Sequence, residues 1–286
     1  MRRRLTRSAA PYGLIFPAGT WLLIFFAIPT VLMLSLSLQT GTVDTGFRMT
    51  WHFGEYGQAF SQYHTYFLRS LQYALVSTAI MLVVAYPLAY WIAFHGGRHK
   101  STYLLLLLLP FFVSFVIRTV AWQFILSDEG LVLGTIKRWH LLPANFHVLA
   151  TTTAVVAGIA YNYLPFMALP LYVSLEKIDR SVVEAAKDLY SNRRDVFLRV
   201  IVPLSGPGIF AGLLLTFVPA VGDYVNASIL GGTNNTMIGN IIQTQFLVNA
   251  DYPMASALST ILMGAMLIAI FAYARTLGTR DIQEYV

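Results

Sequence analysis

Long apolar runs alternate with short polar and charged segments along the whole chain. A helix needs about 20 apolar residues to cross a hydrocarbon core about 30 Å thick. Six runs reach this length: Gly13–Leu38, Ser70–Phe94, Tyr103–Leu126, Val148–Leu175, Leu204–Val225 and Ala255–Arg275. The connections are too short for a sizeable soluble domain. The pattern therefore predicts an all-α, polytopic membrane protein with six transmembrane helices in one domain, residues 1–286.

Composition supports this prediction, because 57% of the 286 residues are hydrophobic and only 11% are charged. The basic residues of Arg2–Arg7 before the first apolar run could suggest a secretory signal. The run from Leu14 to Leu38 is longer than a signal's apolar core, and no clear cleavage site follows it. We expect an uncleaved first span.

The distribution of Lys and Arg predicts the orientation. With the N-terminus inside, fourteen of these residues fall in the inner segments, and the outer loops hold Arg48, Arg69, Lys137 and Arg138. Basic residues concentrate on the cytoplasmic side of membrane proteins. Both termini and the loop between spans four and five are thus predicted to be cytoplasmic.

Several kinds of chemistry are excluded or disfavoured. Without cysteine there is no disulfide and no thiolate metal site. His95 and His99 lack a third ligand nearby, so we expect no metal. No glycine-rich phosphate loop occurs, so ATP must be bound by another subunit. There is no catalytic constellation, and the net charge of +6 requires no nucleic-acid partner.

The only long amphipathic, charged segment lies between spans four and five. Ser181 and Glu184 have the spacing of a capping box, and Asp179 offers a second capping oxygen. We expect a short helix that begins near Val182 and makes apolar contacts up to Leu189. An ordinary helix lying on the membrane surface is the alternative.

This segment resembles the EAA loop of binding-protein-dependent ABC importer permeases. Glu184-Ala185-Ala186 is followed by Phe197 and then by Pro203 at the family's spacing. The resemblance implies a coupling loop, residues 176–203, whose first helix docks on a cytoplasmic ATPase. The ATPase-coupling residues implied are Glu184, Ala185, Ala186, Tyr190, Phe197 and Pro203.

One position departs from that family's pattern. Tyr190 stands where the family usually has glycine, six residues after the glutamate. Asn192 tolerates the left-handed backbone region better than most residues. We therefore expect Asn192 to make the turn in place of the glycine.

Two further stretches resemble the spermidine/putrescine permeases of this family. One is the third-span sequence around Pro110-Phe111, Arg118-Thr119 and Trp122. The other is the ordered set of elements from Phe217 to Ala257. The resemblance covers most of Arg69–Tyr273 and implies the MetI-like fold of type I ABC importers in a bacterial inner membrane.

The resemblance also implies partners. These are a cytoplasmic ATPase dimer, a second permease subunit, identical or not, an external substrate-binding protein, and membrane lipid; no cofactor is implied for this chain. A related importer for an amino acid, thiamine, iron, phosphate or a sugar remains an alternative. A self-sufficient carrier that uses Arg118 and Asp223 as an ion relay is a further alternative, although no inverted repeat is evident.

Candidate pathway residues are the polar side chains within or beside the spans. Asp223 has three open interpretations: a counter-charge for a cationic substrate, a partner of Arg118, or an acid exposed to outside water. Arg118 either snorkels to the outer interface or pairs internally. Asn162 makes a polar contact between helices or lines the pathway. The candidates are Asp223, Tyr224, Arg118, Asn162, Tyr161 and Tyr163.

Small residues predict one helix contact. Gly208 and Gly212 are four apart in span five, the spacing that lets two transmembrane helices approach closely. Prolines in spans two and three, Pro87 and Pro110, are expected to bend their helices.

Overall fold

The computed structural model describes residues 15–139, 141–143, 145–189 and 192–281, and this part is mainly helical. The helices are α1 (Ile15–Leu36), α2 (Gly54–His95), α3 (Gly97–Phe112), α4 (Phe115–Leu126), α5 (Leu133–Arg138), α6 (Thr152–Glu176), α7 (Arg180–Leu189), α8 (Arg193–Leu204), α9 (Gly206–Val221), α10 (Val225–Leu230), α11 (Ile238–Leu247) and α12 (Tyr252–Asp281). Two short strands, β1 (Gln39–Thr40) and β2 (Arg48–Met49), pair antiparallel, with Gln39 opposite Met49.

Four of the described helices, α1, α2, α6 and α12, are long and apolar enough to cross a membrane by themselves. Two further spans pass the same test only as bent pairs. The pair α3 and α4 is bent by 88°, and the pair α8 and α9 is bent by 63°. The described residues thus give six spans if each bent pair crosses once.

The bend between α3 and α4 has a local cause. Pro110 lies in a 3₁₀ turn that ends α3, and Val113 and Ser114 are extended. Proline cannot donate a backbone hydrogen bond, so the helical ladder is interrupted there. Helix α2 behaves differently, since it runs on through Pro87 to His95. The expected bend at Pro110 is confirmed.

Contacts group the chain into two compact units. The first unit contains the residues up to His64 together with Ile242–Leu267. Within it, the hydroxyl groups of Ser37 and Tyr56 are hydrogen-bonded, 2.5 Å apart. Helix α1 buries none of its span against the described residues. Large apolar side chains cover its surface, as expected of a helix that faces lipid or another subunit.

The aromatic segment before the second predicted span is helical, which corrects the sequence-based boundary. Helix α2 begins at Gly54, whereas the apolar run begins at Ser70. No proline separates the two positions, and the one glycine between them, Gly57, lies in the first turn, so the helix extends into the polar, aromatic-rich sequence. Apolar length alone therefore underestimated this helix.

The second unit contains Thr65–Ile241 and the residues from Ile268. Its most extensive helix contact among the described residues is between α6 and α9. A Cβ atom added at Gly208 would lie 2.4 Å from Cβ of Ser174, and one at Gly212 would lie 2.7 Å from Sδ of Met167. Both distances are shorter than real Cβ contacts; at Gly208 the backbone oxygen of Pro170 would also be only 2.7 Å away, so glycine is required there, whereas at Gly212 the flexible Met167 side chain would have to move. The predicted small-residue packing face is confirmed.

Candidate functional site

Helix α7 begins two residues earlier than the sequence suggested, and Asp179 caps it. The Asp179 carboxylate accepts a hydrogen bond from the backbone N–H of Ser181, 2.9 Å away, and the helix begins at Arg180. The capping oxygen expected from Asp179 is confirmed, the Ser181 capping box is not observed, and the helix begins two residues before the predicted Val182. The hydrogen bonds from Ser181 lower the pKa of Asp179, because they favour its charged form.

The apolar residues of α7 divide between two faces. Val183 and Ala186 are buried against the second unit's core, as is Val196 of α8. On another face, Val182 is 44% exposed, Ala185 is exposed and Leu189 is 81% exposed. We call Val182, Ala185 and Leu189 the apolar stripe. The apolar stripe is therefore exposed in the described chain and available to another molecule.

The turn after α7 is not made by a left-handed asparagine. Asn192 is extended, with φ −111° and ψ 125°, and its side chain accepts a hydrogen bond from the N–H of Arg194. Asn192 is thus the N-cap of α8, a role for which its short side chain is well suited. The prediction that it replaces the family's glycine in the turn is wrong, and Tyr190 lies outside the described residues.

The other coupling residues lie in or near α8. Phe197 begins a π turn, and its ring packs edge-on against Tyr86 and Tyr90, with centroids 5.6 and 5.7 Å away. The Tyr86 hydroxyl in turn hydrogen-bonds the Ser205 hydroxyl, 2.8 Å away. Pro203 is exposed near the end of α8. Phe197 therefore anchors the loop to α2.

Glu184 is exposed and lines a cavity between α7, α8 and the end of α2. Within the described chain, no lysine, arginine or histidine nitrogen comes within 4.0 Å of its carboxylate. Ala185 and Ala186 follow it on different faces of the helix. The carboxylate is thus available to a partner.

Asp223 lies in the turn between α9 and α10, not within the fifth span as its apolar run suggested. It is only 4% exposed. One carboxylate oxygen accepts the backbone N–H of Asn226 at 2.9 Å, and the other accepts the Asn226 amide at 2.6 Å. The phenol of Tyr163 also interacts with this carboxylate. The interpretation as a water-exposed acid does not fit this burial.

A chain of buried hydrogen bonds connects Asp223 to two other helices. The Asn226 side-chain oxygen accepts hydrogen bonds from the Asn162 amide at 3.1 Å and from the Thr119 hydroxyl at 3.3 Å. Asn162 also donates to Thr119 at 3.0 Å. We call Thr119, Asn162, Asp223 and Asn226 the polar network. It places Asn162 in the predicted interhelical contact and joins α4, α6 and α10.

Arg118 neither snorkels nor pairs with Asp223. Its side chain is 7% exposed, and its guanidinium carbon lies 5.0 Å from the ring centre of Phe111 and 5.8 Å from that of Phe115. No acid of the described chain lies within salt-bridge distance, and its Nε and Nη1 have no hydrogen-bond acceptor. Cation–π attraction to the two rings is therefore the contact that holds it.

The remaining tyrosines surround these groups at different depths. Tyr161 packs edge-on against Trp122, 5.3 Å away, and the Tyr163 ring lies 5.7 Å from that of Phe115. Tyr224 is 43% exposed, and its carbonyl accepts a hydrogen bond from Asn240. Of the tyrosines predicted from sequence, Tyr163 interacts with the polar network through the Asp223 carboxylate.

Sequence reasoning missed Thr119 and Asn226 as members of the polar network. Thr119 follows Arg118, and the sequence analysis names it only as part of the third-span motif. Asn226 stands three residues after Asp223, the spacing at which a side-chain oxygen meets the N–H at a helix start. That spacing was the available signal.

The membrane-length helices of the described residues define a class of protein, the multi-pass membrane proteins. The chain belongs to the family described as binding-protein-dependent transport system inner membrane component, whose profile matches residues 18–280. The family predicted from the EAA-like loop is thereby confirmed.

The chain is also similar to individual proteins of this family. The chain is 34% identical over 264 residues to the spermidine/putrescine transport system permease protein PotB of Escherichia coli K12, covering 91% of this chain and 96% of that protein. It is also 34% identical over 257 residues to PotB of Haemophilus influenzae, covering 90% of each.

A solved structure shows the same fold. A bacterial ABC transporter involved in the import of the polysaccharide alginate has a chain that matches with a TM-score of 0.74 and 16% identity, covering 98% of both chains. The all-helical ABC-importer permease fold predicted from the sequence is therefore confirmed. The chain is a membrane permease subunit of an ABC importer.

Proposed function

We propose that this permease forms half of a translocation pathway for polyamines, spermidine and putrescine, which an external binding protein delivers. The observation that carries the proposal is the 34% identity with spermidine/putrescine permeases over 91% of the chain. The third-span and C-terminal motifs point in the same direction. The importer's second permease subunit supplies the other half of the pathway.

In this proposal ATP hydrolysis belongs to a separate pair of cytoplasmic subunits, and the chain itself is not an enzyme. The apolar stripe of α7 is the surface that an ATPase groove covers, because three exposed apolar residues on one helical face are costly in water. Glu184 lies on the other side of α7 as an exposed carboxylate with no cation within 4.0 Å in the described chain. The same arrangement requires both termini and residues 176–203 to be cytoplasmic, as the basic residues indicate.

Asp223 is the candidate counter-charge for the substrate's ammonium groups. Its carboxylate has neutral hydrogen-bond donors and no cation among the described residues. A buried carboxylate that lacks a cation attracts a protonated amine that can reach it.

Substitution tests the role of Asp223. Asp223→Asn should reduce uptake at limiting polyamine concentration, and Asp223→Glu should retain more of it, while both complexes assemble. Asp44→Asn removes an exposed acid and serves as the control. Unchanged uptake with a normal yield of Asp223→Asn would exclude Asp223 as the counter-charge.

The substrate class is tested with the whole importer. The permease, its partner subunits and its binding protein are reconstituted in liposomes, and ATP hydrolysis is measured with polyamines, amino acids, thiamine, iron, phosphate and sugars. We expect spermidine or putrescine to stimulate hydrolysis most strongly. Stimulation by another solute alone would keep the importer class and change the substrate. Uptake without ATP would instead support a self-sufficient carrier.

A further inference from the structure

A cavity of about 360 Å³ lies beside the coupling loop, between α7, α8 and the end of α2. Part of its lining is aromatic and apolar. Tyr90 packs edge-on against Phe197 and lies 4.9 Å from Phe94, measured between ring centres. Val183 and Val196 are buried in the same lining. Sites for small ligands have volumes of about 300–1,000 Å³, so this cavity is large enough for a ligand group.

The charged part of the lining is predominantly positive. Arg180 and Lys187 of α7 and Arg193 of α8 face one carboxylate, that of Glu184, among the described lining residues. In the described chain, none of these three cations lies within 4.0 Å of an acidic side chain. We call this space the basic cavity. Its excess of two positive charges favours an anion.

The basic cavity and the apolar stripe lie on opposite sides of α7. Successive residues of an α-helix are rotated by about 100°. Arg180, Glu184 and Lys187 therefore share one face, and the apolar stripe is centred about half a turn away. A protein seated on the stripe can leave the basic cavity open to a different ligand.

We propose that the basic cavity binds a phosphate group, with an anionic lipid headgroup as one source and soluble phosphate as the other. The planar guanidinium group of arginine can donate two parallel hydrogen bonds to phosphate oxygens, and the ammonium group of lysine adds a positive charge. The cavity lies where the long apolar helix α2 ends at His95, with Arg98 and Lys100 just beyond. Basic pockets between transmembrane helices on the cytoplasmic side bind lipid headgroups in this way.

A bound phosphate would connect α7 to α8, because its ligands come from both helices. The link would restrain the coupling loop independently of which solute is transported, so the inference goes beyond the proposed function. It would make the coupling of ATP hydrolysis to transport depend on the lipid composition. An acidic segment of the ATPase is the competing occupant, but the aromatic lining formed by a membrane span favours a lipid headgroup.

The experiment measures binding to the whole purified importer. The complex is placed in phosphatidylcholine nanodiscs, and short-chain phosphatidylglycerol or inorganic phosphate is titrated and counted by native mass spectrometry. Arg180→Gln, Lys187→Gln and Arg193→Gln are combined in one variant. Arg180→Lys with Arg193→Lys keeps the charges, and Arg194→Gln removes a neighbouring cation that does not line the cavity.

We expect affinity for phosphatidylglycerol to fall about fivefold for each cation removed, and to be unchanged by Arg194→Gln. The lysine variant should retain most of the affinity, which separates lost charge from misfolding. Binding of inorganic phosphate with the same dependence on the three cations would identify soluble phosphate as a source. Equal phosphate and lipid binding by the triple variant would overturn the proposal. Loss of ATPase subunits without any change in anion binding would overturn it in favour of an acidic protein segment.

Discussion

Glu184 on α7 and Asp223 beside α10 are both carboxylates in the second unit, and they are held in opposite ways. Glu184 is exposed and has no cation within 4.0 Å in the described chain. Asp223 is 4% exposed, and both of its oxygens accept hydrogen bonds from Asn226. The carboxylate of Glu184 in the loop is therefore accessible to partners, whereas hydrogen bonds hold the carboxylate of Asp223 in one position in the interior.

The physical reason is desolvation. A carboxylate removed from water is stable only if hydrogen bonds replace its hydration. An exposed carboxylate remains hydrated and contributes little to stability until a partner arrives. Changes near Asp223 should therefore affect folding most, and changes on α7 should affect coupling.

The largest effect is expected from Asn226→Ala. It removes the side-chain hydrogen bond to Asp223 and the oxygen that accepts hydrogen bonds from Thr119 and Asn162. The backbone N–H still donates to Asp223, but the carboxylate, Thr119 and Asn162 each lose a buried hydrogen-bond partner, which together costs about 3 kcal/mol or more. The loss of stability is measured by unfolding the purified protein, and Asn234→Ala, at an exposed position, serves as the control. Equal stability of the two variants would mean that the polar network does not hold Asp223.

A smaller loss of stability is expected from Gly208→Ala. The new Cβ would lie 2.4 Å from Cβ of Ser174 and 2.7 Å from the carbonyl oxygen of Pro170. Separating α6 and α9 to relieve this overlap should cost about 1–3 kcal/mol. Gly206→Ala has open space at its Cβ and should be nearly neutral. The two variants are compared by thermal unfolding, and similar melting temperatures would contradict the close packing.

On α7, Glu184→Lys should leave stability and membrane insertion almost unchanged. Coupled uptake should be abolished and retention of the ATPase weakened, because the variant replaces a carboxylate with a cation. Glu184 is the one carboxylate among the described lining residues of the basic cavity. Asp188→Lys makes the same charge change on the same helix outside that lining. Co-purification of the ATPase together with uptake distinguishes them. Normal uptake by Glu184→Lys would rule out the coupling-loop assignment.

The smallest effect concerns the start of α7. The pKa of Asp179 is lowered in the folded protein, so its contribution is present above the ordinary carboxyl pKa and disappears as the pH falls through the lowered one. Amide exchange at Ser181 should therefore show weaker protection in Asp179→Ala at neutral pH. Asp179→Asn, which can still cap, should retain protection down to acid pH. Identical protection in all three proteins would show that the cap is unimportant.

Sequence reasoning located most spans but not all of their limits. The fourth apolar run, Val148–Leu175, corresponds closely to α6, because a buried helix that is apolar over its whole length gives a strong signal. The start of α2 at Gly54 was missed, because an amphipathic or aromatic extension adds helix without adding an apolar run. Helix length depends on the absence of breakers as well as on hydrophobicity.

At the site, the sequence by itself determined the kinds of group present: a charged amphipathic helix in a loop, an arginine within one apolar run and an acid near the end of another. These follow from residue type and spacing, which act over a few residues. Only the tertiary structure decided that Asn226 binds Asp223 and also meets Thr119 and Asn162, and that Arg118 lies against aromatic rings instead of an acid. Such partners come from helices far apart in sequence, and their choice depends on how those helices pack, because a hydrogen bond requires an approach of about 3 Å that no local pattern specifies.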